Sequence, residues 1–206
     1  MPRTSKPAER RKDEILDAAQ HLFTTKGFQA TTVEDVLAAV GIAKGTLYYH
    51  FAGKNEVLRG LILRTVNRMA DQAKAIAEGD GPAVEKFFAV LAATRVDGQD
   101  AELVGEFHAP GNAEFHLMSI VETVRRLTPI LAEIVAEGVE EGAFTTDQPR
   151  ETVEILLTSG GLLLDEGIIP GDAADMQRRT LGVVRAAERL LGCPEGTLGS
   201  IAGRWA

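Results

Sequence analysis

Thr32–Phe51, TVEDVLAAVGIAKGTLYYHF, is the stretch on which the fold of this 206-residue chain turns. Val33, Val36, Leu37 and Val40 recur at helical spacing and give a first short helix one buried face. Gly41 supplies the permissive backbone that ends it. Ile42 is the single apolar residue of the turn, placed to plug the gap between two crossing helices. A second helix, over about 44–50, has only Leu47 and the following Phe51 as core contacts. The rest of its surface carries Lys44, Thr46, Tyr48, Tyr49 and His50. Neighbours on a helix point about 100° apart, so Tyr48 and Tyr49 cannot both face one core. A short helix that leaves phenols, an imidazole and an ammonium unburied suits a polar partner. Double-stranded DNA fits best, because such a helix enters the major groove while its partner helix crosses the backbone.

Upstream, Ile15, Ala18, Ala19, Leu22 and Phe23 form the stripe of an amphipathic helix, closed by Lys26 and Gly27. Phe28 is placed to pack back into the small core. Thr31 or Thr32 can cap the next helix, with Glu34 and Asp35 favourable in its first turn. Downstream, a fourth helix from Lys54 to about residue 77 carries Val57, Leu58, Leu61, Ile62, Val66 and Met69. Shared by two regions of the chain, it can act as a lever between them.

From about Arg11 to Leu61 the chain resembles the TetR (tetracycline-repressor-like) family of bacterial transcriptional regulators. The resemblance rests on RKDEILDAAQHLFTTKGFQATTVEDVLAAVGIAKGTLYYHF followed by AGKNEVLRGL, in which several spaced motifs agree at once. It implies an all-α fold: an N-terminal three-helix helix-turn-helix head over residues 1–53 and a larger C-terminal helical ligand-binding and dimerisation body over 54–206. It also implies a homodimeric, DNA-binding transcriptional regulator, a repressor released from a near-palindromic operator by a small-molecule effector. Carried over residue by residue, the family pattern puts Thr32 and Lys54 at phosphates. It puts Lys44, Gly45, Thr46, Tyr48, Tyr49 and His50 on the recognition helix, with Gly45 and Thr46 nearest base edges. One departure is Ala43, where the family often has a capping Ser; losing that cap weakens the helix end by about 1 kcal/mol. The alternative, from another class, is a helical ligand-binding or scaffold protein with a vestigial DNA-binding head.

The net charge of −8 argues at first against nucleic acid, but its distribution does not. Residues 1–60 carry nine Lys or Arg against seven Asp or Glu, whereas 61–206 carry thirteen against twenty-three. Arg3, Lys6, Arg10, Arg11 and Lys12 form a basic arm able to neutralise phosphates, and an acidic body limits indiscriminate binding. Residues 1–8 also read as a solvated tail. No apolar run reaches the roughly 18 residues of a membrane span, and the N-terminus lacks a secretory signal. A single cysteine, Cys193, excludes an internal disulfide, and the whole suits the cytoplasm.

Glu78-Gly79-Asp80-Gly81-Pro82 is the clearest break. Beyond it the pattern predicts helices over 83–94, 101–108, 113–141, 150–166 and 173–191, with Pro129 expected to kink the third and a loose tail after Pro194. Phe87, Phe88, Leu91, Leu103, Phe107, Phe115, Met118, Val121 and Leu157 are candidates for an effector pocket, and equally for plain core. The last two helices are the dimer candidate, through Leu156, Gly160, Gly161, Leu164, Leu181 and Val184, since mid-helix glycines suit close approach of another helix. The same stripes can instead be buried within one protomer. No catalytic motif is present and no cofactor is expected. His108 and His116, with Glu102, Glu106 and Glu114 nearby, read as a metal or acidic-ligand site, or as ordinary solvated histidines.

Overall fold

The computed structural model describes residues 5–93, 103, 105 and 112–199. Among them every regular element is helical: α1 (Ser5–Lys26), α2 (Val33–Val40), α3 (Lys44–His50), α4 (Lys54–Ala77), α5 (Ala83–Ala93), α6 (Ala113–Glu140), α7 (Pro149–Leu163) and α8 (Ala173–Leu191). The chain is all-α, as its periodicity predicts. Most of the segment expected over 101–108, including Phe107 and His108, lies outside the described residues, although Leu103 is buried and helical.

Two compact units form. The first takes in α1–α3, α4 as far as Thr65, and the described residues from 103 to Leu117. The second takes in α4 from Val66, α5, and the chain from Met118 onward. The division thus falls inside α4 rather than at residue 53. The reason is burial: Val57, Leu58, Leu61 and Ile62, from the first half of α4, are almost wholly inaccessible, and Gly60 lies against Phe51 and Leu16. Each such apolar side chain contributes about 2 kcal/mol on burial.

The first unit is built from the stripe of α1, whose Ile15, Ala19 and Phe23 are fully buried. Phe28 packs edge-on against Phe23, with centroids 5.1 Å apart, and against Phe115, 5.8 Å away. Gly41 ends α2 at φ 72°, a left-handed conformation that glycine adopts without strain, and its N–H donates to the Leu37 carbonyl.

The second unit has a core of Phe87, Leu127, Leu131, Ile134, Val135, Phe144, Val153 and Leu191. Phe144 folds back after α6 to within 6.2 Å of the Phe87 ring. At the start of α5 the Glu141 carboxylate accepts from the Ala83 N–H, and Lys86 pairs with Glu137 at 2.8 Å. Pro129 lies inside α6 without ending it, flanked by the fully buried Leu127 and Leu131. α7 begins at Pro149, where a missing N–H is harmless, and stops at Leu163, three residues short of the expected end. Asp165 there accepts from the N–H groups of Gly167 and Ile168, turning the chain instead.

The expectation of a loose tail after Pro194 is corrected as far as Gly199. Glu188, 3% exposed on α8, accepts from the N–H groups of Leu198 and Gly199, and Leu198 is buried in turn. Backbone N–H donors, first that of Gly196, hold its carboxyl below the usual glutamate range.

Candidate nucleic-acid interface and ligand cavity

The interface begins with the cap of α2. Thr32, not Thr31, is the N-cap: its hydroxyl oxygen accepts from the Asp35 N–H, and the Asp35 carboxylate accepts from the Thr32 N–H at 2.8 Å. This reciprocal pair satisfies two donors that a helix start leaves unmet. Thr31 is buried and donates its hydroxyl to the Gly27 carbonyl. Lys26, from the end of α1, reaches the same Asp35 carboxylate at 2.6 Å. The Lys26 ammonium, followed by the Thr32 N–H and hydroxyl, pulls the Asp35 pKa from 3.8 to about 2. A lowered folded pKa contributes stability that is complete above the ordinary value and is lost as pH falls through the folded one. Asp35→Asn should therefore melt lower than the parent at pH 7, with the gap closing as pH falls from about 4 to about 2. Paired thermal melts across that range check it.

α3 presents what the sequence suggests. Leu47 is fully buried, whereas Tyr48 is 46% and Tyr49 80% exposed. The Tyr49 ring meets His50 edge-on at 5.0 Å. Lys44 is exposed, 3.4 Å from the Glu34 carboxylate and 5.9 Å above the Tyr48 ring. Gly45 is exposed with open space on its Cβ side, and Thr46 is half-buried. Ala43, the N-cap, makes no side-chain bond, so this helix starts uncapped. Thr32, Lys44, Gly45, Tyr48 and Tyr49 are thus all exposed on the α2–α3 motif.

Lys54 is the exception. Its ammonium donates to the carbonyls of Phe28 at 2.8 Å, Thr31 at 2.9 Å and Gln29 at 3.3 Å, and sits 4.4 Å from the Phe28 ring centroid. An ammonium has three N–H donors, and three acceptors already meet them. Burial lowers its pKa, while the carbonyls hold the proton that burial would release. In this arrangement Lys54 fastens the start of α4 to the loop before α2, a tie that the expectation of a phosphate contact did not include.

In the second unit, α5, α6, α7 and α8 surround a cavity of about 360 Å³. Of the pocket candidates, Phe87, Phe88, Leu91 and Leu157 line it. Phe115 does not, because it packs on Phe28 in the other unit; Met118 and Val121 do not either, and Val121 is half exposed. Leu103 is buried but also belongs to the first unit. Five of the six dimer candidates, Leu156, Gly160, Gly161, Leu164 and Val184, line this cavity. On α7, positions 156, 160 and 164 share one stripe that faces inward, while Ile155 and Leu163, one residue earlier in the cycle, point outward. Ile155 is 52%, Leu163 38% and Leu181 51% exposed. His116 is buried on α6 and Glu114 is exposed. Among the described residues no group of three or more His, Cys, Asp or Glu side chains is arranged for a metal. Nor is any described helix long and apolar enough to cross a membrane.

Known proteins share this plan. Residues 15–61 match the sequence profile described as bacterial regulatory proteins, tetR family, and residues 95–184 match that of a tetracyclin repressor-like C-terminal domain. A relative from Mycolicibacterium smegmatis, the HTH-type transcriptional repressor KstR2, is 28% identical over 147 residues, covering 69% of this chain and 71% of its own. The biofilm operon icaADBC HTH-type negative transcriptional regulator IcaR of Staphylococcus epidermidis is 40% identical over 60 residues, 29% of this chain and 32% of its own. RolR in complex with resorcinol superposes with a TM-score of 0.65 at 15% identity, over 97% of this chain and 96% of that one. SmeT, the repressor of a Stenotrophomonas maltophilia multidrug efflux pump, gives 0.62 at 19%, over 86% and 88%. Head and body profiles fall in the same order as the helices described above, and the chain belongs to the TetR family of DNA-binding bacterial transcriptional regulators.

Proposed function

We propose that this protein is a homodimeric repressor that holds a near-palindromic operator and releases it when a small molecule fills the α5–α8 cavity. The observation that carries the reading is the exposure of Tyr48 and Tyr49 on a helix whose Leu47 is fully buried. Two reading heads place α3 in successive major grooves, one helical turn apart or more. Lys44, Tyr48, Tyr49 and His50 meet phosphates, Gly45 and Thr46 approach base edges, and Thr32 lies at a phosphate beside the start of α2. The scaffold alternative is disfavoured by relatives that are themselves repressors. Ile155, Leu163 and Leu181, large apolar side chains facing outward on α7 and α8, support pairing of these helices across a two-fold axis. Ligand in the cavity favours a head separation that no longer fits the DNA, and operator must then weaken the ligand by the same factor. Such a protein works in the cytoplasm, where operators are.

Footprinting against the chain's own upstream DNA, over a series of salt concentrations, tests this. The expected result is one protected, near-symmetric site, with affinity falling steeply and linearly on a log–log plot. Weak, sequence-blind association, or a monomer at working concentration, overturns it.

A further inference from the structure

We infer that the effector is a neutral, mostly hydrocarbon molecule carrying at most one hydrogen-bonding group, and not an anion or a cation. The inference rests on the effector reading above and names the class of ligand that site takes. The described lining holds no ionisable side chain, and Thr123 is its single polar side chain. That hydroxyl donates to the Ser119 carbonyl at 2.8 Å, so its oxygen is left to accept. A ligand hydroxyl fits there as donor. The residues after it in the sequence do not rescue a charge: Arg125 and Arg126 both turn to Glu122, at 3.1 and 3.8 Å, and neither lines the cavity. Among the described lining residues a carboxylate would find no cation and at most one donor to replace its lost water, and desolvation of an unpaired charge outweighs any gain from ring burial.

Size follows from the walls. Gly160 and Gly161 stand in the last turn of α7, still inside the helix, where glycine is less favourable than alanine. A Cβ on Gly161 would press on Ile120 at 3.3 Å, but one on Gly160 would meet nothing within 4 Å. Gly160 therefore leaves room in the wall of α7. A volume of about 360 Å³ is at the small end for ligand sites and, packed as densely as a protein interior, holds on the order of 15 non-hydrogen atoms.

The test compares three probes with one ring system: naphthalenemethanol, naphthoate and naphthylmethylammonium, at pH 7.5 (about neutral for none but the first). Titration calorimetry on the full chain should show saturable binding of the alcohol, at least tenfold tighter than either ion. Gly160→Leu should lose it, and Gly160→Ala, which adds one methyl to open space, should weaken it several-fold without lowering the melting temperature. An ion that binds as tightly as the alcohol overturns the inference, as does failure of all three to saturate or full binding by Gly160→Ala and Gly160→Leu alike. Operator release is read separately by fluorescence anisotropy. Release by an ion alone leaves the effector reading standing and removes the neutral ligand; cavity binding of the alcohol without any effect on operator affinity does the reverse.

Discussion

Tyr49→Ala should lose operator binding by roughly a thousandfold while the protein folds and melts as before. Tyr49 is 80% exposed and its ring meets His50 on the same helix, so its removal leaves no hole in the core. At a symmetric operator the loss counts twice. If each tyrosine contributes about 2 kcal/mol, as central aromatic contacts do, the pair accounts for about 4 kcal/mol, or some three decades of affinity. Anisotropy with a labelled operator and a circular dichroism melt of the same sample provide the two readings. A variant that unfolds shows Tyr49 to be core; one that binds normally removes α3 as the reading helix.

Lys54→Met should act the other way round, on stability first. Three carbonyls, of Phe28, Gln29 and Thr31, lose their charged donor, and the loop that sets the Thr32 cap loses its tie to α4. Bonds to charged groups are worth more than neutral ones, and after allowing for the ammonium's own desolvation a loss of about 2 kcal/mol is expected. The salt dependence of operator binding separates this from a phosphate contact. A lysine on a phosphate contributes about 0.9 to the log–log salt slope of each protomer, and removing it flattens the plot. The geometry here predicts a lower melting temperature with an unchanged slope, measured well below the melting point. A flatter slope at unchanged stability would restore Lys54 to the phosphate.

How much of this could be read from residues alone depended on the reach of the interaction. The α2–α3 motif was legible because its causes are local: the spacing of Val33, Val36 and Leu47, the glycine at 41, and two tyrosines that cannot share a face. The reciprocal cap of Thr32 and Asp35 has a spacing the eye can find, but the arrival of Lys26 on the same carboxylate depends on how α1 crosses α2. The tie that Lys54 makes was out of sight for the same reason, since its acceptors lie 23 to 26 positions away in the chain. In the body the helices were visible and their faces were not. Leu156, Gly160 and Leu164 make a convincing apolar stripe, yet periodicity cannot say whether a stripe meets a neighbour from the same protomer, a cavity or a second copy. Phe115 shows the limit most simply: its aromatic character signalled burial, and only the fold told which unit would receive it.

The Glu188 carboxylate sits where the polypeptide would otherwise peel away, and Leu198, which it fastens, is part of the cavity wall. Trimming the protein at residue 195 would therefore open the α5–α8 cavity and strand an acid in an apolar neighbourhood.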